Sequence, residues 1–390
     1  MKKIISLIIV VILICGSCVN TFAKNDINYK AESENEFGDV DAKSVVLMEA
    51  ETGTVIYSKN ECEAYSPASV TKIMTLLLSA EALDCGMYSL SDTVRISAYA
   101  ASMGGSQVFL EEGEEITVEE LIKCAVIASA NDAAVALAEL VAGSEAAFVS
   151  KMNSRAEELG MTSSCFENVT GLDDTTENHV TSALDIAIMS RELIKHDIIL
   201  KYSSLWQDTI RNGEFTLTNT NRLVRFYDGC NGLKTGSTDK AGYCVSATAK
   251  RGNMQLIAVV MGAPTRDVRN KIAQNMLDYG FANYTLYSQP ECVVKNVPVK
   301  FGIKNLCTLY EGEFKTLIKK SDASKVEKAY GIPESVSADI TKGEALGRVE
   351  YLLNGEKIGE APVYSKEGIE KISFLRLWSR VISGIFDCRI

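Results

Sequence analysis

The sequence predicts an α+β fold: a large domain in which helices flank a sheet, then a small all-β domain and a terminal amphipathic helix. Its 390 residues suffice for one large domain and a smaller one. Apolar segments with helical spacing alternate with short strands up to about residue 286. From residue 287 onward the segments are short, alternate in polarity and are separated by Gly, Asn and Asp, which is typical of a small β-sandwich.

Composition and charge exclude several classes of protein. Apolar residues make up 46% of the chain and charged residues 23%, which rules out disordered, collagen-like and coiled-coil proteins. The formal net charge of −11 argues against a nucleic-acid partner. The chain contains only two histidines, His179 and His196, so it offers little for a multi-histidine metal site or a Ser-His-Asp triad. It also lacks the motifs G-x-x-x-x-G-K-[ST], H-E-x-x-H and G-x-S-x-G.

The first 23 residues have the form of a secretory signal peptide. Two lysines precede an apolar run over residues 4–14, and small or neutral residues follow to a T-x-A cleavage site that ends at Ala23. The run is short for a transmembrane helix, although an uncleaved anchor and lipidation at Cys18 are the alternatives. Residues 24–40 are polar and acidic and form a predicted linker. The sequence therefore predicts an exported protein.

Cysteine usage does not indicate a disulfide framework. Cys15 and Cys18 belong to the predicted signal, which leaves nine of the 11 cysteines, an odd number without a C-x-x-C pair. Cys124 and Cys244 lie in apolar segments. Most of the nine are expected to behave as small buried hydrophobic residues rather than as disulfide partners or metal ligands.

The elements of the large domain follow from local patterns. Two strands flank the turn at 51–53, and an unbroken apolar run predicts a helix after Pro67. The capping pattern Thr117-x-x-Glu120 opens a helix predicted over 118–140. Further helices are predicted over 145–159, 182–195 and 268–279, and adjacent buried strands over 242–248 and 255–261.

The last segment, residues 365–390, predicts an amphipathic helix. Its apolar residues recur at spacings of three or four and are Ile372, Leu375, Trp378, Ile382, Ile385 and Phe386. Five basic and three acidic residues give the segment a net charge of +2 in an otherwise acidic chain. Such a helix suits the surface of an anionic membrane. Docking on the protein's own core is the alternative.

Ser69-Val70-Thr71-Lys72 lies at the predicted start of the helix after Pro67. Residues three apart on a helix share a face, so the Lys72 amine and the Ser69 hydroxyl are expected to be neighbours. A serine becomes a nucleophile when a base takes its proton, and a lysine serves as that base when burial or a nearby cation lowers its pKa. Backbone N–H groups at the helix start could bind an oxyanion. An N-cap serine with a surface lysine is the structural alternative.

Ser129-Ala130-Asn131 lies in an Ala-rich segment of the predicted helix 118–140. A hydroxyl at this position could pass a proton to a leaving group, while the amide could hold Lys72 or a substrate carbonyl. This three-residue pattern is common, and by itself it indicates no function.

Lys234-Thr235-Gly236 leads into the predicted strand pair. A lysine and a hydroxyl on a strand edge form a site for a carboxylate, and the glycine lets a substrate backbone approach closely. By itself this motif is also an ordinary strand end beside a turn glycine.

Taken in order, the motifs S-x-x-K, S-x-N and K-T-G resemble those of the penicillin-recognising serine acyltransferases, which include penicillin-binding proteins and serine β-lactamases. Three longer segments, 65–75, 168–185 and 228–243, narrow the resemblance. They look like the serine-type D-alanyl-D-alanine carboxypeptidases of peptidase family S11, the low-molecular-mass penicillin-binding proteins. The resemblance covers about residues 43–281.

This resemblance implies a domain organisation and a set of partners. A β-lactamase/transpeptidase-like catalytic domain, with an antiparallel sheet flanked by helices, is expected over 41–286. A β-sandwich is expected over 287–364, and a helix that associates with the outer face of the cytoplasmic membrane over 365–390. The implied partners are peptidoglycan stem peptides, with β-lactams as covalent inhibitors, and no metal or organic cofactor is implied.

The resemblance also implies residue roles. Ser69 would attack the carbonyl between the two terminal D-alanines of a stem peptide, with Lys72 as general base and Ser129 as proton relay to the leaving D-alanine. Water would then hydrolyse the acyl-enzyme with the help of Lys72 and Asn131. The backbone N–H groups of Ser69 and Ser237 would form the oxyanion hole. The implied substrate-binding residues are Asn131, Lys234, Thr235, Gly236, Ser237 and Arg269.

Three positions need separate comment. Ser237 stands where several relatives have His or Tyr, so details of substrate recognition stay open. Arg266 lies near Arg269 and is the alternative arginine, although spacing favours Arg269. His179 is expected to be structural rather than a catalytic base.

Other activities use the same motifs. A β-lactamase needs fast deacylation, and the E-x-x-L-N element that supplies a deacylating Glu in one major class is absent. An endopeptidase acting on cross-links would use the same residues, because the choice of bond depends on cleft shape. A β-lactam-sensing or peptidoglycan-binding protein that acylates without turnover is a further alternative.

Overall fold

The computed structural model describes residues 40–174 and 176–387. The predicted signal peptide and residues 24–39 of the predicted linker lie outside the described residues. The described chain forms two compact units. The first contains the chain up to Met48, Val55–Ala249 and Ile257–Met276, and the second contains Glu49–Thr54, Lys250–Leu256 and the chain from Leu277 onward. The domain limits at 286 and 287 stay predictions.

The first unit is built on an antiparallel sheet. Its strands are β1 (Ser44–Glu49), β2 (Val55–Lys59), β3 (Thr93–Arg95), β4 (Glu115–Thr117), β5 (Gln207–Ile210), β6 (Phe215–Thr218), β7 (Cys230–Thr238), β8 (Gly242–Arg251) and β9 (Met254–Ala263). Five of them form one sheet in the order β2-β1-β9-β8-β7, in which β1–β2 and β7–β8 pair antiparallel. Strands β8 and β9 are buried over most of their length, which is typical of a sheet covered on both faces.

The helices of the first unit supply many of its buried apolar residues. They are α1 (Lys72–Asp84), α2 (Ala98–Ala101), α3 (Val118–Lys123), α4 (Asn131–Ala142), α5 (Glu145–Glu158), α6 (Ala183–Leu193), α7 (Asp197–Ser203), α8 (Leu223–Phe226) and α9 (Arg266–Asn283), the last continuing into the second unit. Helix α1 packs against α4 and α6, and the alanines of α4 are buried. The predicted capping box is present, because the Thr117 hydroxyl accepts from the Glu120 N–H and the Glu120 carboxylate accepts from the Thr117 N–H.

The single helix predicted over 118–140 is wrong. Helix α3 ends at Lys123, a π-helical turn spans Cys124–Ala128, and Ser129 takes a left-handed backbone with φ of 63° before α4 begins. No Pro or Gly marks this break in the sequence. Tertiary bonds stabilise it instead, since the Asn131 N–H donates to the Ser106 carbonyl at 2.7 Å rather than continuing the helix.

The second unit is an all-β domain followed by a helix. Its strands are β10 (Tyr284–Gln289), β11 (Cys292–Lys300), β12 (Leu306–Glu311), β13 (Phe314–Lys319), β14 (Val326–Gly331), β15 (Val336–Ser337), β16 (Ala345–Leu353) and β17 (Glu356–Ser365), and its helix is α10 (Phe374–Asp387). Six strands form a sheet in the order β14-β16-β17-β12-β11-β15, and β10 pairs with β13. The core consists of Val297, Cys307, Leu309, Val336, Ile340, Val349, Tyr351, Ala361, Val363 and Ile369.

Two further findings bear on the environment of the chain. Within the described residues no single helix has the length and hydropathy needed to cross a membrane, and α4 and α5 meet that test only as a pair bent by 81°. The described cysteines are all free, and Cys124, Cys244 and Cys307 are buried as the apolar context of the first two predicts.

Candidate active site

The three sequence motifs meet in an open cleft of about 400 Å³ in the first unit. The cleft is lined by Ser69, Ser106, Ser129, Trp206, Thr218, Asn219, Thr220, Arg222, Thr235, Gly236, Ser237, Arg266 and Arg269. Three other predicted residues, Lys72, Asn131 and Lys234, are buried and reach the lining residues by hydrogen bonds. All nine predicted site residues therefore belong to one site.

A tight turn carries Ser69. Residues Ala68–Thr71 form a 3-10 turn directly after Pro67, and α1 begins only at Lys72. Ala68 has a left-handed backbone with φ of 49°, and its carbonyl accepts a 2.8 Å hydrogen bond from the Thr71 hydroxyl. The turn thus keeps Ser69 and Lys72 on one face, as their spacing predicts.

Lys72 is a fully buried amine with three partners. Its Nζ is 3.0 Å from Ser69 Oγ, 2.6 Å from Asn131 Oδ1 and 2.8 Å from the Thr170 carbonyl oxygen. Burial lowers the pKa of Lys72 well below its ordinary value, and the positive charge of Lys234 lowers it further, while Asp132 acts in the opposite direction. The site therefore favours the neutral, basic form of this lysine far more than water does.

Ser129 and Lys234 form a second buried pair. The left-handed backbone of Ser129 ends the π-helical turn, and Lys234 Nζ donates to Ser129 Oγ at 2.7 Å and to the Thr235 carbonyl at 2.8 Å. Burial, and secondarily the charge of Arg269, lower the pKa of Lys234 to about 7. Two of the three donors of its ammonium group are thus used within the protein, which leaves one for a ligand.

Strand β7 passes unusually close to the Ser69 turn. A Cβ at Gly236 would lie 2.8 Å from the Ser69 nitrogen, 2.9 Å from the Pro67 carbonyl and 2.9 Å from the Val70 nitrogen. These neighbours are backbone atoms, so they cannot rotate away. Glycine is required here because of this close approach, and the neighbouring Thr235 hydroxyl is held by Thr220 at 2.8 Å.

Both candidate arginines line the cleft. Arg269 is buried on α9 and donates to the Cys244 carbonyl at 3.3 Å and to the Asn270 side chain. Burial, followed by the charge of Arg266, lowers the pKa of Arg269 to about 10. Arg266 is exposed at the first position of α9. The structure brings both cations to one end of the cleft, and Arg269 is the one held in place by protein groups.

His179 supports the Ser69 turn from behind. Its Nδ1 accepts the Glu167 N–H at 3.0 Å, so the ring proton lies on Nε2, which donates to the Thr71 hydroxyl at 2.7 Å. Thr71 in turn donates to Ala68. Burial lowers the pKa of His179 to about 4. His179 is therefore neutral, and its hydrogen bonds to Thr71 and Glu167 agree with a structural role.

Several groups at the cleft have no role that the sequence predicts. The Thr170 carbonyl, which binds Lys72, comes from a loop whose Gly171 has φ of 82° and would place a Cβ 1.8 Å from the Ala68 carbonyl oxygen. Both residues lie in the segment 168–185, which contributes to the family resemblance, but nothing in that segment predicts a contact with Lys72. Trp206 and Arg222 flank the β5–β6 hairpin, line the cleft and belong to none of the motifs. Within 40–174 and 176–387 no group of three or more His, Cys, Asp or Glu is placed to hold a metal ion.

Comparison with known proteins identifies the family. A family model described as D-alanyl-D-alanine carboxypeptidase matches residues 28–265, and one described as the C-terminal domain of penicillin-binding protein 5 matches residues 281–371. The D-alanyl-D-alanine carboxypeptidase DacF of Bacillus subtilis (strain 168) is 44% identical over 390 residues, which cover 98% of each chain.

Solved structures agree with the sequence comparison. Penicillin-binding protein 5 from Haemophilus influenzae matches with a TM-score of 0.75 and 31% identity, over 85% of this chain and 98% of that one. Penicillin-binding protein D2 from Listeria monocytogenes, in its ampicillin-bound form, matches with a TM-score of 0.57 and 30% identity, over 62% of this chain and 98% of that one.

The chain therefore belongs to the peptidase S11 family of D-alanyl-D-alanine carboxypeptidases. It is an enzyme of that class, a hydrolase, and its two units correspond to a carboxypeptidase domain and an all-β domain of the penicillin-binding protein 5 type. The predictions of family, fold class and activity made from the three motifs are confirmed.

We expect Gly236→Ala to reduce D-alanine release by about 100-fold, because the added Cβ must displace the backbone of the Ser69 turn or of β7. The matched control is Gly331→Ala, another strand glycine, at which a Cβ would meet only ordinary contacts at 3.6 Å. Steady-state release from a soluble D-Ala-D-Ala peptide measures the difference. Equal rates for the two variants would contradict the close-approach argument.

We expect the stabilising effect of His179 to disappear in acid. Its pKa is ordinarily 6.5 and is about 4 in the fold, so the unfolded chain binds the proton more readily and stability falls as the pH drops from 6.5 towards 4. The difference in free energy of unfolding between the parent and His179→Asn should shrink by about 3 kcal/mol over this range. Urea unfolding at pH 7 and pH 4 measures it. A difference independent of pH would show that His179 does not act through its neutral form.

Proposed function

We propose that this carboxypeptidase removes the terminal D-alanine from peptidoglycan stem peptides through an acyl-enzyme on Ser69. The observation that carries the proposal is the set of three partners around Lys72 Nζ. Two of them, Asn131 Oδ1 and the Thr170 carbonyl oxygen, can only accept hydrogen bonds. A neutral amine has two N–H donors, and these two oxygens engage both. Its lone pair is then directed at the third partner, the Ser69 hydroxyl.

This arrangement makes Lys72 the general base. The neutral amine accepts the hydroxyl proton of Ser69 over 3.0 Å as Oγ attacks the carbonyl carbon of the penultimate D-alanine. The developing oxyanion binds the backbone N–H groups of Ser69 and Ser237, which line the cleft on the turn and on β7. The C–N bond then breaks, and the proton that Lys72 took from Ser69 passes through Ser129 to the amine of the leaving D-alanine, which returns Lys72 to its neutral form.

The second half of the reaction uses the same groups in reverse. Water attacks the acyl-enzyme while Lys72, held by Asn131 at 2.6 Å, takes its proton. Cleavage of the ester returns a proton to Ser69 and frees the shortened peptide. The proton relay of the first half also fits the structure. Ser129 Oγ accepts a hydrogen bond from Lys234 at 2.7 Å, so the Ser129 hydroxyl proton can be donated to the departing amine.

The terminal carboxylate of the substrate matches the cationic end of the cleft. Lys234 has one donor left, Thr235 lies at the cleft surface, and Arg269 is held at the same end. A carboxylate at this end is drawn to two cations in a partly desolvated site. A β-lactam carries an equivalent carboxylate beside a reactive carbonyl, and the ampicillin-bound form of the Listeria monocytogenes relative supports covalent β-lactam binding at Ser69.

The first test is D-alanine release by residues 24–390 and by Ser69→Ala, with a soluble peptide that ends in D-Ala-D-Ala. We expect Ser69→Ala to lose at least about 10³-fold in rate and all labelling by a fluorescent penicillin, since no other group can form the ester. Ser106→Ala, another cleft serine, is the matched control and should still be labelled. Labelling of Ser69→Ala would refute the assignment. Cleavage of a cross-linked dimer without D-alanine release would favour the endopeptidase.

The pH dependence of acylation tests the general base. Acylation needs neutral Lys72, so its rate should fall as the pH drops through the lowered pKa of this lysine. Lys234→Met removes a positive charge that helps to lower that pKa, so the acidic limb of the acylation profile should move to higher pH. Lys151→Met, which removes an exposed lysine from α5, should leave the limb in place. An unshifted limb in Lys234→Met would contradict this coupling.

We further propose that the protein is exported and attaches to the outer face of the cytoplasmic membrane through α10. Its signal-like N-terminus supports export, and the apolar side chains of α10 support attachment, since Phe374 is 72% exposed, Leu375 82% and Trp378 53%. A bilayer surface would remove these side chains from water. The net charge of +2 of the tail favours an anionic surface.

Removal of α10, residues 374–390, tests the attachment. We expect residues 24–373 to lose binding to phosphatidylglycerol vesicles while their rate on a soluble peptide stays that of residues 24–390, because the cleft is formed by the first unit. Cosedimentation with vesicles measures binding. Equal binding of the two chains would refute attachment through α10.

A further inference from the structure

We propose that the tip of the β11–β12 hairpin, residues 301–306, inserts into the same anionic membrane surface as α10. This inference rests on the proposed attachment of α10 and adds a second contact from the β domain itself. The membrane-facing surface would then have two parts, a helix and a hairpin tip.

Two large apolar side chains at the tip are exposed without any packing reason. Phe301 is 62% exposed and Leu306 is 56% exposed. Phe301 also has a left-handed backbone with φ of 60°, which is costly for a bulky aromatic residue. Strain of this kind persists where it serves a function, and here it presents an aromatic ring to the outside. Transfer of the Phe301 side chain from water to a lipid interface is favourable, because it removes apolar surface from water.

The tip is bonded to the segment that leads into α10. The Ile372 N–H donates to the Phe301 carbonyl at 2.7 Å, and the Ile303 N–H donates to the Glu370 carbonyl at 2.9 Å. Helix α10 begins two residues later, at Phe374. Chain geometry keeps the Cα atoms of Ile372 and Phe374 within about 7 Å of each other. The apolar side chains of the tip and of the first turn of α10 therefore lie in one region.

The charge of this region suits an anionic surface. The segments 300–306, 339–342 and 367–376 contain five basic residues, Lys300, Lys304, Lys342, Lys371 and Arg376, and three acidic ones, Asp339, Glu367 and Glu370, with Lys304 ion-paired to Glu367. Lys366 is not counted, because it is ion-paired to Glu291, which precedes the other end of β11. The net charge of +2 contrasts with the −11 of the whole chain. Exposed apolar side chains beside a net positive charge are what an anionic bilayer binds.

Strand β11 supplies a matched control. Val293 is 57% exposed, like the residues of the tip, but it lies eight residues before Phe301, near the other end of β11, about 26 Å away. A membrane that contacts the tip and α10 is not expected to reach it. Substitution of Val293 removes a similar exposed apolar group without touching the proposed surface.

The first experiment compares vesicle binding of residues 24–390 carrying Phe301→Ser and Leu306→Ser together with that of Val293→Ser. On phosphatidylglycerol vesicles we expect the tip variant to bind at least about tenfold more weakly than the parent, and Val293→Ser to bind like the parent. Circular dichroism and thermal unfolding check that each variant folds, because the rate of D-alanine release reports only on the first unit. Equal binding of the tip variant and the parent overturns the hairpin proposal.

The same comparison separates the two proposals. If residues 24–373, which lack only α10 and the residues after it, still bind vesicles and the tip variant does not, the hairpin stands and attachment through α10 fails. If the tip variant binds vesicles normally but changes the sedimentation coefficient of the free protein, the surface is an interface between copies, and the membrane proposal for the hairpin is wrong.

A fluorescent probe at the tip gives a direct readout. In a background with both tryptophans, Trp206 and Trp378, changed to Phe, we compare Phe301→Trp with Val293→Trp. Emission of the tip tryptophan should shift to shorter wavelength on addition of vesicles and be quenched by brominated lipid. The tryptophan at 293 should show neither effect. Absence of quenching at 301 while the protein is vesicle-bound overturns the proposal.

Discussion

The rest of the site depends on the burial of the Lys72 amine and on its hydrogen bonds. A lysine removed from water favours its neutral form, and the neighbouring charge of Lys234 adds to that preference. Burial alone would leave the position of the lone pair undefined. The Asn131 amide oxygen and the Thr170 carbonyl remove this freedom, because each engages an N–H and neither can donate. In the proposed mechanism, Lys72 is therefore both basic and oriented towards Ser69 before any substrate arrives.

Close backbone packing holds Ser69, the proposed nucleophile, beside Lys72. The turn that carries Ser69 is enclosed by Gly236 on one side and Gly171 on the other, and at either position a Cβ would overlap main-chain atoms. From behind, the neutral ring of His179 fixes Thr71, whose hydroxyl fixes the Ala68 carbonyl. The left-handed backbone of Ala68 is sustained by these contacts. Because these groups are already in position, the protein needs little rearrangement to reach the transition state.

The sequence predicted the elements well where local pattern and tertiary structure agree. The capping pair Thr117 and Glu120 and the helix over 145–159 are examples, since caps and amphipathic spacing are properties of neighbouring residues. Prediction failed at 118–140, where residues that favour a helix are interrupted at Ser129. The interruption is stabilised by a bond from Asn131 to Ser106, a partner that no local pattern reveals.

By itself the sequence determined the chemical groups, their order and the family, because S-x-x-K, S-x-N and K-T-G are short motifs whose members act together. It also determined the amphipathic spacing of the tail. Only the tertiary structure decided how the groups are used. The Thr170 carbonyl orients Lys72, and Phe301 lies beside the start of α10, although in each case the partners are far apart in the chain. Spacing specifies contacts within a helical turn or a strand pair, whereas long-range contacts follow from packing of the whole fold.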